Sequence, residues 1–502
     1  MVILAKLREI GRAMSFLPPA FCKIPRPASL PAIAFLLALH GGLPAEAGET
    51  FHVAPTGNDS GLGTKEFPWR TIQKAFDELE AGDTAIVHAG IYNEQLYVEC
   101  EGNEDEGFVT FQAEPGAIIT AQGLQTEDNV IYIEDKSWIR IIGFEIRDLN
   151  TKDGSGIRFE GTGSHLEFRD NRIHSILGKN AMGITVYGTN EEEPITDVVI
   201  SGNEIFNCDA APSEALVLNG NVSGFEVTDN HVHDIRGVGI DFIGGEDGIV
   251  DHQEGRNVAR NGVCRGNRVE RVRAPYGGGY GPGIYVDGGR DILVEANQVS
   301  ECDLGLEVGA ENTGVVVSGI SVVGNVIAGN DKAGLVFGGY EEKLGRVTGC
   351  RFLNNLIRDN TSHAKAETEV WIQWAEGNVF ANNIVIGREG TEKPLLYSEN
   401  RDQANALDFN VWFLPGNPER AEFVWSGNHY GSFAGFREAT GLGQSSNPVD
   451  PKFADDGIRL AADSPLIDAG DPGIVFPEGA TDLDGEPRVQ GKAVDIGPDE
   501  VR

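Results

Sequence analysis

The sequence predicts an all-β protein wound as a single-stranded parallel β-helix, and three observations lead to that prediction. The chain is rich in turn-forming residues, with 66 glycines and 23 prolines among its 502 residues. From about residue 138 a motif of the form x-x-Asn-x-Ile/Val returns about every 30 residues. Between the motifs lie short strands of alternating apolar residues. Repeats of this length indicate a stack of similar units rather than one conventional core.

The asparagine motif sets the length of each repeat. Typical copies read "FRDNRIHSI", "VTDNHVHDI" and "VEANQVSEC". One such coil is too thin to bury an apolar face alone, so the coils must stack on one another. Asparagine tolerates the left-handed backbone of a sharp corner, and stacked amides can bond along an axis. We therefore expect one ladder formed by Asn171, Asn203, Asn230, Asn267, Asn297, Asn325, Asn355 and Asn383.

The cysteines are predicted to pack as small apolar residues. Beyond residue 47 they are Cys100, Cys208, Cys264, Cys302 and Cys350. Cys208 and Cys302 each follow a motif asparagine by five residues, where other repeats carry Ile or Val. None forms a C-x-x-C pair, so we expect neither disulfides nor a zinc site at these cysteines.

The first 47 residues have the pattern of a secretory signal peptide. Basic residues precede an apolar run over 30–39, and Ala45-Glu46-Ala47 supplies an A-x-A cleavage pattern before Gly48. No later apolar run is long enough to span a membrane. We therefore expect a secreted protein, either extracellular or periplasmic.

The charge of the chain limits its partners. A formal net charge of -37 argues against nucleic acid, whose phosphates need Lys and Arg. A neutral glycan, or an acidic glycan held through a cation, fits this charge better.

Two segments resemble a known superfamily. Residues 51–92, "FHVAPTGNDSGLGTKEFPWRTIQKAFDELEAGDTAIVHAGIY", resemble the N-terminal segment of the pectate-lyase-like right-handed β-helix proteins, and "LIDAGDPG" (466–473) and "TDLDGEPRVQGKAVDIGPDE" (481–500) resemble the C-terminal segment of secreted bacterial members. The resemblance implies a right-handed β-helix with a short N-terminal capping helix at about 71–79. The expected organisation is a signal peptide (1–47), a cap with the first coils (48–137), the β-helix core with the active-site groove (138–400), and C-terminal coils with a cap segment (401–502).

One strand of each coil shows which side chains face outward. In segments such as "GIDFI", "GIYVD" and "GLEVG", a period of two sends the second and fourth residues inward and the third and fifth outward. The predicted third-position column is Arg158, Thr185, Val217, Asp241, Tyr285, Glu307, Val336 and Trp371. The fifth-position column is Glu160, Tyr187, Asn219, Ile243, Asp287, Gly309, Gly338 and Gln373.

Three acids in these columns are the predicted catalytic groups. Asp241, Asp287 and Glu307 lie on three successive coils, and coils about 4.8 Å apart place the Asp287 backbone roughly 8 Å from the other two. Paired carboxyls at such separations hydrolyse glycosidic bonds. The sequence therefore predicts a glycoside hydrolase acting on a poly- or oligosaccharide. The predicted substrate-binding residues are Tyr285, Arg158, Tyr187, Trp371, Gln373 and Tyr276.

Two other functions remain open at this point. Resemblance to the pectate-lyase-like proteins implies a calcium-dependent polysaccharide lyase as an alternative, with Glu246, Asp247 and Asp251 as candidate calcium ligands. Such lyases use a Lys or Arg base, and no Lys stands in either column. A non-catalytic glycan-binding surface protein is the third candidate. We expect a monomer without a required cofactor, calcium being optional. His174, His231 and His233 are expected to be structural because their spacing matches no metal motif.

Overall fold

The computed structural model describes residues 48–123, 129–250, 255–363, 367–398, 404–477 and 479–501. It is a right-handed parallel β-helix in which three long sheets run along the axis, so the predicted fold class is confirmed. The predicted signal peptide lies outside these residues. Among the helices within them, none is long and apolar enough to cross a membrane.

Each coil contributes to the three sheets in turn, and from Val316 onward several coils give sheet 1 two short strands. Sheet 1 contains Thr50–Val53, Thr84–Val87, Val109–Ala113, Ile139–Ile142, Gly163–Arg169, Ile195–Ser201, Val222–Thr228, Arg260–Arg265, Arg290–Glu295, Val316–Ser318, Ser321–Val323, Arg346–Thr348, Arg351–Leu353, Ala375–Glu376, Val379–Ala381 and Ala406–Asp408. Sheet 2 contains Gly90–Asn93, Ala117–Thr120, Glu145–Thr151, Arg172–Gly178, Glu204–Cys208, His231–Arg236, Arg268–Arg273, Gln298–Ser300, Val326–Ala328, Leu356–Arg358, Ile384–Ile386 and Val411–Phe413.

Sheet 3 carries the two predicted outward columns. Its strands are Leu96–Tyr97, Ile131–Glu134, Gly154–Glu160, Ala181–Gly188, Glu214–Gly220, Val238–Ile243, Pro282–Asp287, Leu304–Ala310, Ala333–Gly339, Thr368–Gln373, Leu396–Ser398, Phe423–Trp425 and Asn428–Tyr430. The last of these pairs antiparallel with its neighbour, whereas the preceding pairs are parallel. Inward residues such as Ile184, Leu216, Ile240 and Ile284 are fully buried. The period-two alternation therefore separates a continuous apolar core from the outward columns.

The predicted asparagine ladder stands at the corner between sheets 1 and 2. The Nδ2 group of Asn267 donates to Asn297 Oδ1 (3.0 Å) and to the Val227 carbonyl (2.8 Å). The Oδ1 atom of Asn267 accepts from the backbone N–H and the side chain of Asn230, both at 3.0 Å. The same pattern continues to Asn410, one coil beyond the predicted set. Each amide thus bonds the coils on both sides of its own.

The cysteines pack as small buried residues, as the sequence predicts. All five described cysteines are buried and free of disulfides. Asparagines outside the predicted ladder also bond neighbouring coils. The backbone N–H of Cys302 donates to Asn330 Oδ1 (2.9 Å), and that of Cys350 donates to Asn378 Oδ1 (2.8 Å).

Short helices lie near both ends of the β-helix. Helix α1 (Ile72–Glu78) corresponds to the predicted capping helix, and its N-cap Thr71 accepts a hydrogen bond from the Lys74 backbone N–H. It buries Phe76 against Phe111, with ring centroids 4.2 Å apart. Helix α2 (Phe433–Thr440) was not predicted, and it stacks Phe436 on Phe423 at 5.0 Å. A short 3-10 turn spans Pro418–Arg420. These helices cover apolar ends that a stack of coils would otherwise expose.

The chain after α2 runs back along the outside of the stack. The Thr481 N–H donates to Glu295 Oε1 (2.9 Å), and Asn354 Nδ2 donates to the Asp495 carbonyl (2.7 Å). Its apolar residues pack on outward-facing aliphatic residues of sheet 2, as Ile496 does with Leu356 and Ile384. The C-terminal segment therefore contacts several coils distant from it in sequence.

We expect Asn267→Ala to destabilise the protein by about 3 kcal/mol, because it leaves buried donors on Asn230 without an acceptor at about 1–3 kcal/mol for each group. Urea unfolding followed by circular dichroism measures this change. The matched control is Gln298→Ala at an exposed site, expected to change stability by no more than about 0.5 kcal/mol. Equal losses in the two variants would contradict the role given to the ladder.

Candidate active site

The strand register places the predicted outward columns as expected. Asp241 pairs with Tyr285, and Tyr285 pairs with Glu307 on the next coil. Asp287 pairs with Gly309 in the parallel column. The predicted alignment is therefore correct for Asp241, Tyr285 and Glu307, whereas Ile243 forms a bridge with Gly288 instead of pairing with Asp287.

Three hydrogen bonds connect the acids of neighbouring coils. The Asp287 backbone N–H donates to Asp241 Oδ1 at 3.4 Å, and the Glu311 backbone N–H donates to Asp287 Oδ1 at 3.3 Å. The Tyr285 hydroxyl donates to Glu311 Oε1 at 3.0 Å. Glu214 and Glu307 each interact electrostatically with Glu311. These acids are grouped on the outward side of sheet 3, and we call Glu214, Asp241, Asp287, Glu307 and Glu311 the acid cleft.

Two members of the acid cleft were missed from the sequence. Glu214 immediately precedes "ALVLN", and Glu311 follows the strand that ends at Ala310, so both fall outside the five-residue windows used to count outward positions. The spacing of Glu311, four residues after Glu307, was the available signal. Its meaning depends on a loop conformation that alternation does not predict.

Burial and mutual repulsion raise the pKa values of these carboxyls. Burial is the largest cause throughout. It raises the pKa of Glu307 to about 8 together with the nearby Glu311, and the pKa of Glu214 to about 8 together with Glu246 and Glu311. The pKa of Asp241 and that of Asp287 lie well above their ordinary values for the same reasons. Several of these groups therefore hold protons at neutral pH.

The carboxyls differ in how well their charged forms are stabilised. Backbone N–H groups donate to Asp241 and Asp287, and the Tyr285 hydroxyl donates to Glu311, which favours ionisation of each acceptor. For Glu307, burial and the neighbouring Glu311 both raise the pKa. Glu307 is thus the member of the group whose contributing causes all favour the protonated form.

Tyr285 lies in the middle of the acid cleft, and Gly309 makes room for it. A Cβ atom at position 309 would stand 2.7 Å from the Tyr285 hydroxyl oxygen and 2.8 Å from Cε2. The ring therefore lies over the glycine of the next coil. Burial, followed by Asp287 and Glu311, raises the pKa of Tyr285, so its hydroxyl stays protonated and acts as a donor.

Two loops border the acid cleft: the first follows the strand that ends at Ile243, and the second joins Arg273 to Pro282. In the first, the Gly244 N–H donates to the Asp287 carbonyl (2.7 Å), and Asn219 Nδ2 donates to Glu246 Oε2. In the second, Asp303 Oδ2 accepts from the N–H groups of Ala274 (2.8 Å) and Gly281 (3.1 Å). The Gly-rich sequence of the second loop is thus held at both its ends.

Of the predicted substrate-binding residues, Tyr276 and Tyr187 border the acid cleft together with Tyr285. Burial raises the pKa of Tyr276, with a further contribution from Glu214, and burial likewise raises that of Tyr187 with Glu214 next. Tyr276 is 40 % exposed and donates to the Pro212 carbonyl at 3.2 Å, so its ring is accessible from solvent.

The other three predicted substrate-binding residues, Arg158, Trp371 and Gln373, lie on sheet 3 on either side of the acid cleft. Arg158, three coils before Asp241, bonds Glu160 Oε1 (2.5 Å) and stacks over Tyr187 with its Cζ 4.8 Å from the ring centroid. It lines a separate cavity of about 520 Å³ with Tyr97 and Tyr132. Trp371 pairs with Val336 two coils beyond Glu307, and Gln373 pairs with Gly338. The structure therefore places Arg158, Trp371 and Gln373 on the same face but outside the acid cleft.

The predicted calcium ligands are only partly described. Glu246 and Asp247 are exposed, while Asp251 lies outside the described residues. Across the described ranges, the side chains that converge closely enough to hold a metal are Glu204, His231 and His233 on sheet 2. Calcium at Glu246, Asp247 and Asp251 stays a prediction.

A curated relative decides the family. Protein YwoF of Bacillus subtilis is 32% identical over 452 residues, which cover 84% of this chain and 92% of YwoF. The chain belongs to the YwoF family. The family model described as "Right handed beta helix region" also matches residues 129–344. This match and the fold confirm the resemblance to pectate-lyase-like β-helix proteins.

Solved structures show how the fold of this YwoF-family protein compares with others. The GH136 lacto-N-biosidase from Eubacterium ramulus is 14% identical, with a TM-score of 0.51, over 72% of this chain and 67% of that chain. Pectate lyase Pel9A is 14% identical, with a TM-score of 0.45, over 91% of this chain and 98% of that chain. At such low identity the first likeness concerns the fold alone.

We expect the stability of the protein to fall as the pH rises from about 4 to 8, and Glu307→Gln to remove part of that slope. The pKa of Glu307 is about 8 in the folded chain, compared with about 4.3 in an unfolded one. The folded state holds this proton more tightly, so one such group contributes at most about 1.4 kcal/mol per pH unit over this interval. Urea unfolding at pH 5 and pH 8 measures the slope.

Glu167→Gln is the control for that measurement. Partial burial opposes the shift, but hydrogen bonds from Arg140 and Arg169 lower the pKa of Glu167. The stability that Glu167 contributes is therefore present above about pH 4.3 and lost below it, so its loss should be equal at pH 5 and pH 8. An unchanged slope in Glu307→Gln would show that this carboxyl is ionised in the folded protein.

Proposed function

We propose that this protein is a carbohydrate-active enzyme, a glycoside hydrolase that cleaves a neutral poly- or oligosaccharide in the acid cleft. The observation that carries the proposal is the grouping of five carboxyls around Tyr285 on successive coils of sheet 3, where burial raises their pKa values. A purely solvated face would gain nothing from crowding acids in a buried place, because each added charge raises the free energy of the folded state.

Glu307 is the proposed general acid. At neutral pH a pKa of about 8 keeps most of its carboxyl protonated, which is the state required to protonate the leaving oxygen of a glycosidic bond. A donor with a pKa near the working pH also transfers its proton most effectively.

Asp287 is the proposed partner carboxylate, and Asp241 supports it. Burial and the neighbouring acids raise the pKa of Asp287, and the Glu311 N–H opposes this shift by favouring the charged form that a general base requires. Asp287 and Glu307 stand on neighbouring coils and two residues apart along the strand, so their backbones are separated by roughly 8 Å. Inverting glycosidases separate their carboxyls by about 6.5–9.5 Å, which leaves room for a water molecule between carboxylate and sugar. Asp241, whose Oδ1 accepts the Asp287 N–H, would help to orient that water.

The charge of the cleft supports a neutral substrate. The main contributors to the pKa shifts of its five carboxyls include no Lys or Arg among the described residues. A uronic acid would therefore find no cationic side chain among these contributors to bind its carboxylate. The exposed ring of Tyr276 offers an apolar surface on which a sugar ring can stack. The β-helix fold also serves a solved neighbour named as a lacto-N-biosidase.

We expect Glu307→Gln and Asp287→Asn each to lower kcat by about 10²–10⁴-fold, because each removes one half of a general acid–base pair. Release of reducing ends from a panel of neutral polysaccharides measures turnover. Glu226→Gln, an exposed acid on sheet 1, should retain full activity. Full activity of Asp287→Asn on every substrate that the wild type cleaves would refute the assignment.

Cleavage should also proceed without calcium and without elimination. A lyase leaves an unsaturated uronide that absorbs in the ultraviolet, whereas a hydrolase adds water and leaves none. We expect new reducing ends to accumulate in EDTA with flat ultraviolet absorbance. Cleavage that stops in EDTA and produces the absorbing product would favour the calcium-dependent lyase. Sugar binding without any cleavage would favour a glycan-binding protein.

A further inference from the structure

A second group of side chains on sheet 2 has the composition of a metal site. Glu204 and His231 are register partners on neighbouring coils, and His233 follows on the same strand and the same face as His231. One ligand atom from each of the three lies within 4.8 Å of the others. We call these residues the sheet 2 triad. The histidine spacing alone matches no metal motif because the third ligand comes from the preceding coil.

The distance between two of the ligand atoms already suits a tetrahedral ion. His233 Nε2 lies 3.3 Å from Glu204 Oε1. An ion bonded to both atoms at about 2.0–2.1 Å with a tetrahedral angle would hold them about 3.3–3.4 Å apart. This pair therefore requires almost no rearrangement to accept a metal.

Each member of the triad is also held by a residue outside it. Arg172 Nε donates to Glu204 Oε2 at 2.7 Å, which leaves Oε1 directed toward His233. Asp234 Oδ2 lies 2.7 Å from His233 Nδ1, and Glu270 Oε1 lies 2.8 Å from His231 Nε2. A carboxylate on one ring nitrogen fixes the ring and makes the other nitrogen a better ligand. Arg271, which bonds Asp234 and Glu270, balances part of their charge.

We infer that Glu204, His231 and His233 bind a divalent transition metal of the zinc type. Two imidazoles and one carboxylate form a donor set that zinc uses with a fourth position open to water. The nitrogen ligands disfavour calcium and magnesium, which prefer oxygen. The site lies on sheet 2, whereas the acid cleft lies on sheet 3, so the inference does not depend on the proposed hydrolase activity.

Zinc titration of the full chain tests this site. Isothermal titration calorimetry in a buffer that does not chelate zinc should show one site with a Kd of about 10 µM or tighter. His231→Ala and His233→Ala should each remove that step. Asp234→Asn should weaken it about 10–100-fold, because the ligand itself remains while its supporting carboxylate is lost. Calcium chloride should produce no such step.

His174→Ala is the matched control. His174 precedes the triad on the same face of sheet 2, stacks on Phe206 at 4.6 Å, and bonds Glu145 rather than Glu204. Zinc affinity should be unchanged in this variant. The inference is overturned if the wild type binds no zinc, or if folded His231→Ala and His233→Ala variants bind it as the wild type does. It is equally overturned if His174→Ala loses as much affinity as they do. Thermal melting of each variant without metal establishes that it is folded.

Discussion

The whole structure depends on the hydrogen bonds that hold one coil directly above the next. Backbone ladders set neighbouring coils about 4.8 Å apart, and the buried asparagine amides secure the corner between sheets 1 and 2. Because the coils cannot slip, a residue at a given position in one coil lies beside its counterpart in the next. Columns of aligned side chains are therefore the natural surface feature of this fold, and function arises from what a few coils place in them.

The acid cleft shows how this constraint produces unusual chemistry. The strand register alone aligns Asp241, Tyr285 and Glu307 on successive coils. Free carboxylates in water would repel one another at such short separations. The scaffold can hold them there because its core, its ladder and its caps stabilise the coils independently of the cleft. Burial, with repulsion among the acids as the second cause, then raises the pKa values of these carboxyls.

Much of the fold was predictable because it rests on short-range periodicity. The asparagine motif and the alternation in "GIYVD" and "GLEVG" predicted the corner, the core positions and the register of three catalytic candidates. Glu311 and Glu214 were missed because they occupy a loop and a strand start, where no period applies. Helix α2 and the returning C-terminal segment depend on contacts between residues far apart in sequence. The convergence of the sheet 2 triad was not predicted because its side chains come from two coils, and spacing along the sequence does not show which residues are neighbours in space.

The returning C-terminal segment changes how the β-helix responds to unfolding. In a simple stack each coil touches only its neighbours, so the end coils could peel away one at a time. Here Thr481 is bound to Glu295 and Asp495 to Asn354, while Asp471 donates its N–H to Asn382 Oδ1 at 2.8 Å. The C-terminal segment thus acts as a brace that is hydrogen-bonded to several coils along the axis. Fraying from the C-terminal end must first release this brace, which joins the coils between residues 295 and 382 into one cooperative block.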